Sequence, residues 1–261
     1  MNKFIFFILL IGCSTHSYAQ RNVVVQDSIS LEADQFLGID SFGAIYFTKG
    51  NIFYKKWNGQ KWQFGDFILG QLTQVSILNP LKIVLFYESS NTLVLVDKYL
   101  NEINRINFNT IAEFKSLSLV SPANDNSSWL FDNNTQQLEV FNTISNKTLV
   151  ATQPINELPT TLRSNFNYCW ILTSETLSQF NIYGSLLSRT QNEGFTDMRI
   201  INNDLVLLKE NNLYYRTSAT EKIEKINLPE IPVKQFYVTN EILYIYHQSK
   251  IYSFDLTPQK N

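Results

Sequence analysis

Acid–base chemistry near neutral pH most often rests on histidine, and this chain has two. His16 lies in an N-terminal stretch read below as a leader, which leaves His247, followed by Gln248. A Ser–His–Asp site could be built on His247 in principle, but a histidine at the end of an apolar run is more often a hydrogen-bonding edge residue. Cys13 falls in the leader, and Cys169 sits inside the apolar run Tyr168-Cys169-Trp170-Ile171-Leu172. Cys169 therefore reads as a small buried hydrophobe. One histidine and one cysteine cannot supply the three or four N or S ligands of a zinc site. Asp40, Asp97, Asp132, Asp197, Asp204 and Asp255 are scattered, and each reads as a turn former rather than a calcium ligand. No Gly-x-Gly-x-x-Gly, phosphate-binding loop or nucleophile elbow is present. The sequence thus assigns no catalytic residue, no metal and no cofactor.

Binding chemistry is better represented. Tyr54, Trp57 and Trp62 surround Asn58-Gly59-Gln60 and alternate with Lys55, Lys56 and Lys61. Trp and Tyr are favoured anchors of protein interfaces. The competing reading is that these rings fill space between layers of the fold. Bases interleaved with aromatics also suit nucleic acid. Here the stretch is short, and 21 basic against 23 acidic residues leave a net charge of −2, so nucleic acid is excluded as a partner. The binding candidates are Tyr54, Trp57, Trp62, His247 and Gln248.

The first residues read as an address. Met1-Asn2-Lys3 is a short positive region, residues 4–12 are an unbroken apolar run, and Ser17-Tyr18-Ala19 places small residues before a cut at Gln20. Nine apolar residues fall well short of the ~20 that span a bilayer. Leu10-Ile11-Gly12-Cys13 also resembles a lipobox, which would make Cys13 an acylated first residue and tether the domain to a membrane. The sequence divides into a signal peptide, 1–19, and a single domain, 20–261.

The elements that must position these residues show an internal period. Apolar run, polar turn, apolar run recurs from Ile45, Val84, Trp129, Trp170, Leu205 and Leu243. The starts lie 39, 45, 41, 35 and 38 residues apart. Val, Ile, Leu, Phe, Tyr and Trp dominate the runs, and Gly, Asn and Ser fill the connectors, so each unit is a β-hairpin. Segments near 36–40, 74–78, 114–120, 196–201 and 235–238 precede the hairpins. Segments near 61–68, 102–108, 147–152, 185–189 and 222–228 follow them. The last unit has three strands, and residues 23–31, with Val23, Val25, Ile29 and Leu31 on one face, are left to supply its fourth.

Four strands per roughly 40 residues resembles the β-propeller superfamily. The expectation is all-β: a six-bladed β-propeller, five or seven blades remaining open, with four antiparallel strands per blade. The N-terminal strand closes the last blade and removes an open edge. The repeats lack the signatures of tryptophan–aspartate, kelch and sialidase propellers. The leader and the abundance of Asn and Lys resemble exported proteins of Bacteroidetes-type Gram-negative bacteria. The functional expectation is an exported, non-enzymatic module in the periplasm or at the outer membrane, with a protein partner in the cell envelope. It would touch a membrane only through a lipid anchor or that partner. The alternatives are an exported hydrolase or lyase for a sugar, lactone or ester, and a ligand-binding propeller, both using the central mouth.

Overall fold

Strands of Val, Leu, Ile and Phe without polar alternation must be covered on both faces. Ile83–Tyr87 is such a strand, and every residue in it is buried. Strands such as Lys147–Ala151 alternate exposed and half-buried residues and form an outer rim. The computed structural model describes residues 21–256, except Val24 and Asn240. Within them six sheets form a closed ring, one per repeat.

Blade 1 contains Gln35–Ile39, Ile45–Lys49, Ile52–Trp57 and Gln60–Phe64, from the centre outwards. Blade 2 contains Gln74–Ser76, Ile83–Tyr87, Thr92–Val96 and Glu102–Asn107. Blade 3 contains Leu117–Pro122, Ser127–Asp132, Gln137–Asn142 and Lys147–Ala151. Blade 4 contains Thr161–Ser164, Tyr168–Leu172, Thr176–Asn181 and Leu186–Gln191. Blade 5 contains Asp197–Ile201, Asp204–Lys209, Asn212–Arg216 and Ile223–Asn227. Blade 6 contains Gln235–Val238, Ile242–His247 and Lys250–Asp255, with Val25–Ser30 antiparallel on its outer edge. The blade number is therefore six, and the N-terminal strand closes the ring.

The N-terminal segment does more than the repeat pattern implies. Arg21–Asn22 pairs in parallel with the outer strand of blade 5, so one segment straps two blades. Val25 and Ile29 were expected on one face with Val23 and Leu31. Instead they are exposed, while Val23 and Leu31 are buried. All six residues of Val25–Ser30 are exposed, since the strand is the outer edge of its blade, with a bulge between Val25 and Asp27. Two further segments differ from the sequence reading. Residues 67–69 form a 3₁₀ turn capped by Asp66, not the end of a strand, and the inner strand Thr161–Ser164 falls outside the segments read as strands.

There is no single core. Six apolar clusters occupy the six seams between neighbouring blades. Trp129 fills the seam of blades 3 and 4 beside Cys169, and Trp170 fills that of blades 4 and 5. Burial raises the Cys169 thiol well above its usual pKa. Inner strands are also joined by side-chain amides. Gln235 of blade 6 accepts from Phe36 N at 2.7 Å and donates to Asp34 O at 3.1 Å in the approach to blade 1. Gln74 of blade 2 repeats this on blade 3, accepting from Val120 N at 2.8 Å and donating to Ser118 O at 2.9 Å. Each glutamine amide thus supplies the donor and acceptor that one more strand residue would.

Candidate functional site

Side chains alternate along a strand, so every second residue of an inner strand faces the ring's axis. The axis is an open cavity of about 1040 Å³, lined from all six blades. Its lining includes Leu37, Ser76, Val120, Arg163, Arg199 and Tyr237, one from each blade. Tyr237 approaches blade 1 so closely that a Cβ on Gly38 would lie 2.7 Å from its ring. Gly38 also has φ of +147°, which a side chain rarely adopts. Burial lifts Tyr237 to about 12.

The charged chemistry of the cavity lies on blades 4 and 5. Arg163 Nη2 donates to Asp197 Oδ1 at 3.0 Å, and Arg199 Nη1 donates to both Asp197 oxygens at 2.8 Å. Arg199 stacks on Phe236, 5.1 Å from the ring centre. The three side chains are 34%, 26% and 21% exposed for Arg163, Asp197 and Arg199. Burial pushes Arg163 down to about 10, and neighbouring Arg199 adds to the fall against the pull of Asp197. Burial alone would raise Asp197, but Arg199 and Arg163 outweigh it and leave the carboxyl below its usual range.

Most of the other carboxylates singled out in the sequence do make turns. Asp40 accepts from Phe42 N and Ala44 N, each at 2.9 Å, and from the Tyr46 hydroxyl at 2.7 Å. Asp97 accepts from Tyr99 N and Asn101 N at 2.8 Å. Asp132 accepts from Asn134 N at 3.0 Å. Asp197 departs from the pattern. Its role was legible only as Asp197-x-Arg199, a spacing that puts both groups on one face of a strand. Arg163 carried no such signal, because its strand went unread. Among the described residues, no group of three or more His, Cys, Asp or Glu is placed to hold a metal ion. No helix there is long and apolar enough to cross a membrane.

The binding candidates do not form one site. Tyr54 stacks on Phe47 at 5.2 Å in the seam of blades 6 and 1, with Lys61 Nζ 4.1 Å above its ring. Trp62 packs into the seam of blades 1 and 2, 6.0 Å from Tyr99. Trp57 is exposed at the end of its strand and donates its indole N–H to Phe42 O at 2.9 Å. His247 and Gln248 belong to the turn between the second and third strands of blade 6, on the opposite face of the ring from Trp57. Cys13 lies outside the described residues.

Exposed apolar side chains mark a surface the sequence did not. Phe42, Leu81, Tyr99, Ile144, Phe166 and Tyr183 are all exposed. They sit in first-to-second or third-to-fourth strand turns of blades 1 to 4, which emerge on one face. Phe67, Ile68, Phe114 and Leu158 are exposed on linkers between those blades, on the other face. No large hydrophobic of blade 5 is exposed among the described residues.

Comparison with solved structures agrees with this architecture. The chain superposes on virginiamycin B lyase from Staphylococcus aureus with a TM-score of 0.61, at 11% identity over 90% of this chain and 100% of that one. The chain is a β-propeller. The WD40 domain of Neurospora crassa Pan2 matches with a TM-score of 0.60, at 10% identity over 88% of this propeller and 76% of that chain. PorZ of Porphyromonas gingivalis, described as an essential bacterial surface component of the type-IX secretion system, matches with a TM-score of 0.54. Its identity is 14%, over 87% of this propeller and 32% of PorZ. At these identities the likeness is one of fold. No family model matches the sequence, and no curated protein matches it.

Proposed function

We propose that this propeller is an exported, non-enzymatic interaction module that docks a protein partner of the cell envelope through blades 1 to 4. The observation that carries the reading is the bias of exposed large apolar side chains to that arc and their absence from blade 5 among the described residues. Clustered exposed apolar groups mark interaction surfaces. The leader-like residues 1–19 support export. The fold likeness to PorZ, a bacterial surface component of a secretion system, supports an envelope setting. Trp57, exposed beside Phe42, contributes at the blade 1 end of the arc.

A lyase reading finds less support. A histidine-to-alanine form of the staphylococcal lyase is catalytically inactive. In this propeller the axial cavity is lined by no histidine among the described residues. The test is affinity purification of the tagged protein from its native envelope in mild detergent, with mass spectrometry of what accompanies it. A stoichiometric envelope protein is expected, and Phe42→Asp with Tyr183→Asp should release it while Lys222→Glu on blade 5 should not. Recovery of the wild type alone and monodisperse would count against the docking role.

A further inference from the structure

Two guanidinium groups share one carboxylate in the axial cavity, so the cluster carries one uncompensated positive charge. The donors are also incompletely used. An arginine offers five N–H groups. Arg199 commits only Nη1, to Asp197 and to Met198 O, and its Nε and Nη2 have no protein acceptor among the described residues. Arg163 commits one Nη1 hydrogen to Leu162 O and one Nη2 hydrogen to Asp197, which leaves Nε free of protein acceptors there too. Among the described residues, the polar side-chain atoms sealed from solvent without a partner are Tyr87 Oη and Trp129 Nε1. The free arginine nitrogens therefore open onto the cavity.

The other acidic groups around the cavity do not supply the missing charge. Asp40 is held by two backbone N–H groups and Tyr46 and forms no ion pair with either arginine, and Glu241 is an exposed residue at a mouth. The depressed pKa of Arg163 has the same origin, since burial and Arg199 outweigh Asp197.

From this geometry we infer that Arg163 and Arg199 form a binding subsite for the carboxylate of a small organic acid entering the axial cavity. A planar two-oxygen anion matches the guanidinium fork, and a single negative charge completes the balance. A phosphate dianion would leave surplus negative charge in a half-buried site. Leu37 on the facing blade 1, with Val120 and Tyr237 on the flanking blades 3 and 6, takes the apolar body of the ligand. Asp197 accepts from both forks and lowers the positive charge that the ligand meets. Phe42 and Tyr183, whose variants test the docking reading, lie outside the cavity lining, so the two readings can fail independently.

Sodium benzoate titrated into the full protein, followed by the arginine side-chain Nε–H resonances, tests the assignment. Expected is a saturable shift of the Arg163 and Arg199 signals that benzyl alcohol does not reproduce. Arg163→Gln and Arg199→Gln should each weaken binding by about tenfold or more, the worth of one charge-assisted hydrogen bond. Asp197→Asn should tighten it, because the cluster then carries two unopposed charges; a merely structural cluster would not respond in that direction. Melting curves confirm that each variant is folded, and the wild-type titration stands if one is not. Overturning results are no saturable shift of either signal, equal response to benzyl alcohol, unchanged affinity in Arg199→Gln, weaker binding in Asp197→Asn, or tighter binding of inorganic phosphate than of benzoate.

Discussion

Replacing Lys115 by methionine should destabilise the propeller more than any surface change. Lys115 lies in the linker between blades 2 and 3 and is 1% exposed, and Glu139 on blade 3 is 4% exposed. Their charged atoms are 2.8 Å apart, Glu113 adds a second contact at 3.2 Å, and Thr148 donates to Glu139 at 2.7 Å. Removing one partner of a buried pair costs about 3–5 kcal/mol, because the other charge is left uncompensated. Thr148 still serves Glu139 in Lys115→Met, so the lower end, about 3 kcal/mol, applies. In a chain of this size that lowers Tm by roughly 6–12 °C. The double variant Lys115→Met with Glu139→Leu removes both charges and should recover most of the loss. Burial disfavours the Lys115 ammonium, but Glu139 and Glu113 outweigh it, and its pKa stands above the ordinary 10.5. The stabilisation is therefore fully present below pH 10.5 and is lost as pH rises through the folded-state value. Denaturant melts across pH on wild type, both singles and the double provide the assay. A Lys115→Met loss under about 1 kcal/mol, or a double variant less stable than either single, would refute the reasoning.

Gly38→Ala should cost about 1–3 kcal/mol, because the new methyl meets the Tyr237 ring and Ile77 at 2.7–2.8 Å. A spectroscopic titration should then find Tyr237 moving from about 12 back towards 10.0. Gln235→Leu strands Phe36 N and Asp34 O and should lower stability by about 1–3 kcal/mol in urea melts. Gln35→Leu, at the matching place in blade 1 but exposed, should be close to neutral. Cys169 is fully buried and should ignore a thiol reagent in the native protein yet react stoichiometrically in concentrated guanidinium.

Hairpins were the most legible part of the fold. Runs starting at Ile45 and Val84 correspond to strands starting at Ile45 and Ile83, since a strand buried on both faces writes itself as unbroken apolar sequence. Inner strands are short and face a wet cavity, so Thr161–Ser164, with Arg163 inside it, carries too little apolar signal to stand out. The axial cluster was illegible for the same reason, and because its three members come from two blades. The polar Asn- and Gly-rich turns were legible as turns. Which of them carry exposed Phe and Tyr for docking depends on strand direction, and that emerges only when the ring is assembled.

The strap at blade 6 has a consequence in time. Val25–Ser30 is made some 225 residues before its partner Lys250–Asp255. At about 5–20 residues per second, the strand waits roughly 10–45 s for its partner. Throughout that interval the molecule is an open arc with two bare edges, poorly able to lock into a rigid ring. A chain interrupted anywhere before residue 250 never closes. The seam between these two strands thus works as a checkpoint, withholding the rigid ring from every chain that has not yet made Lys250–Asp255.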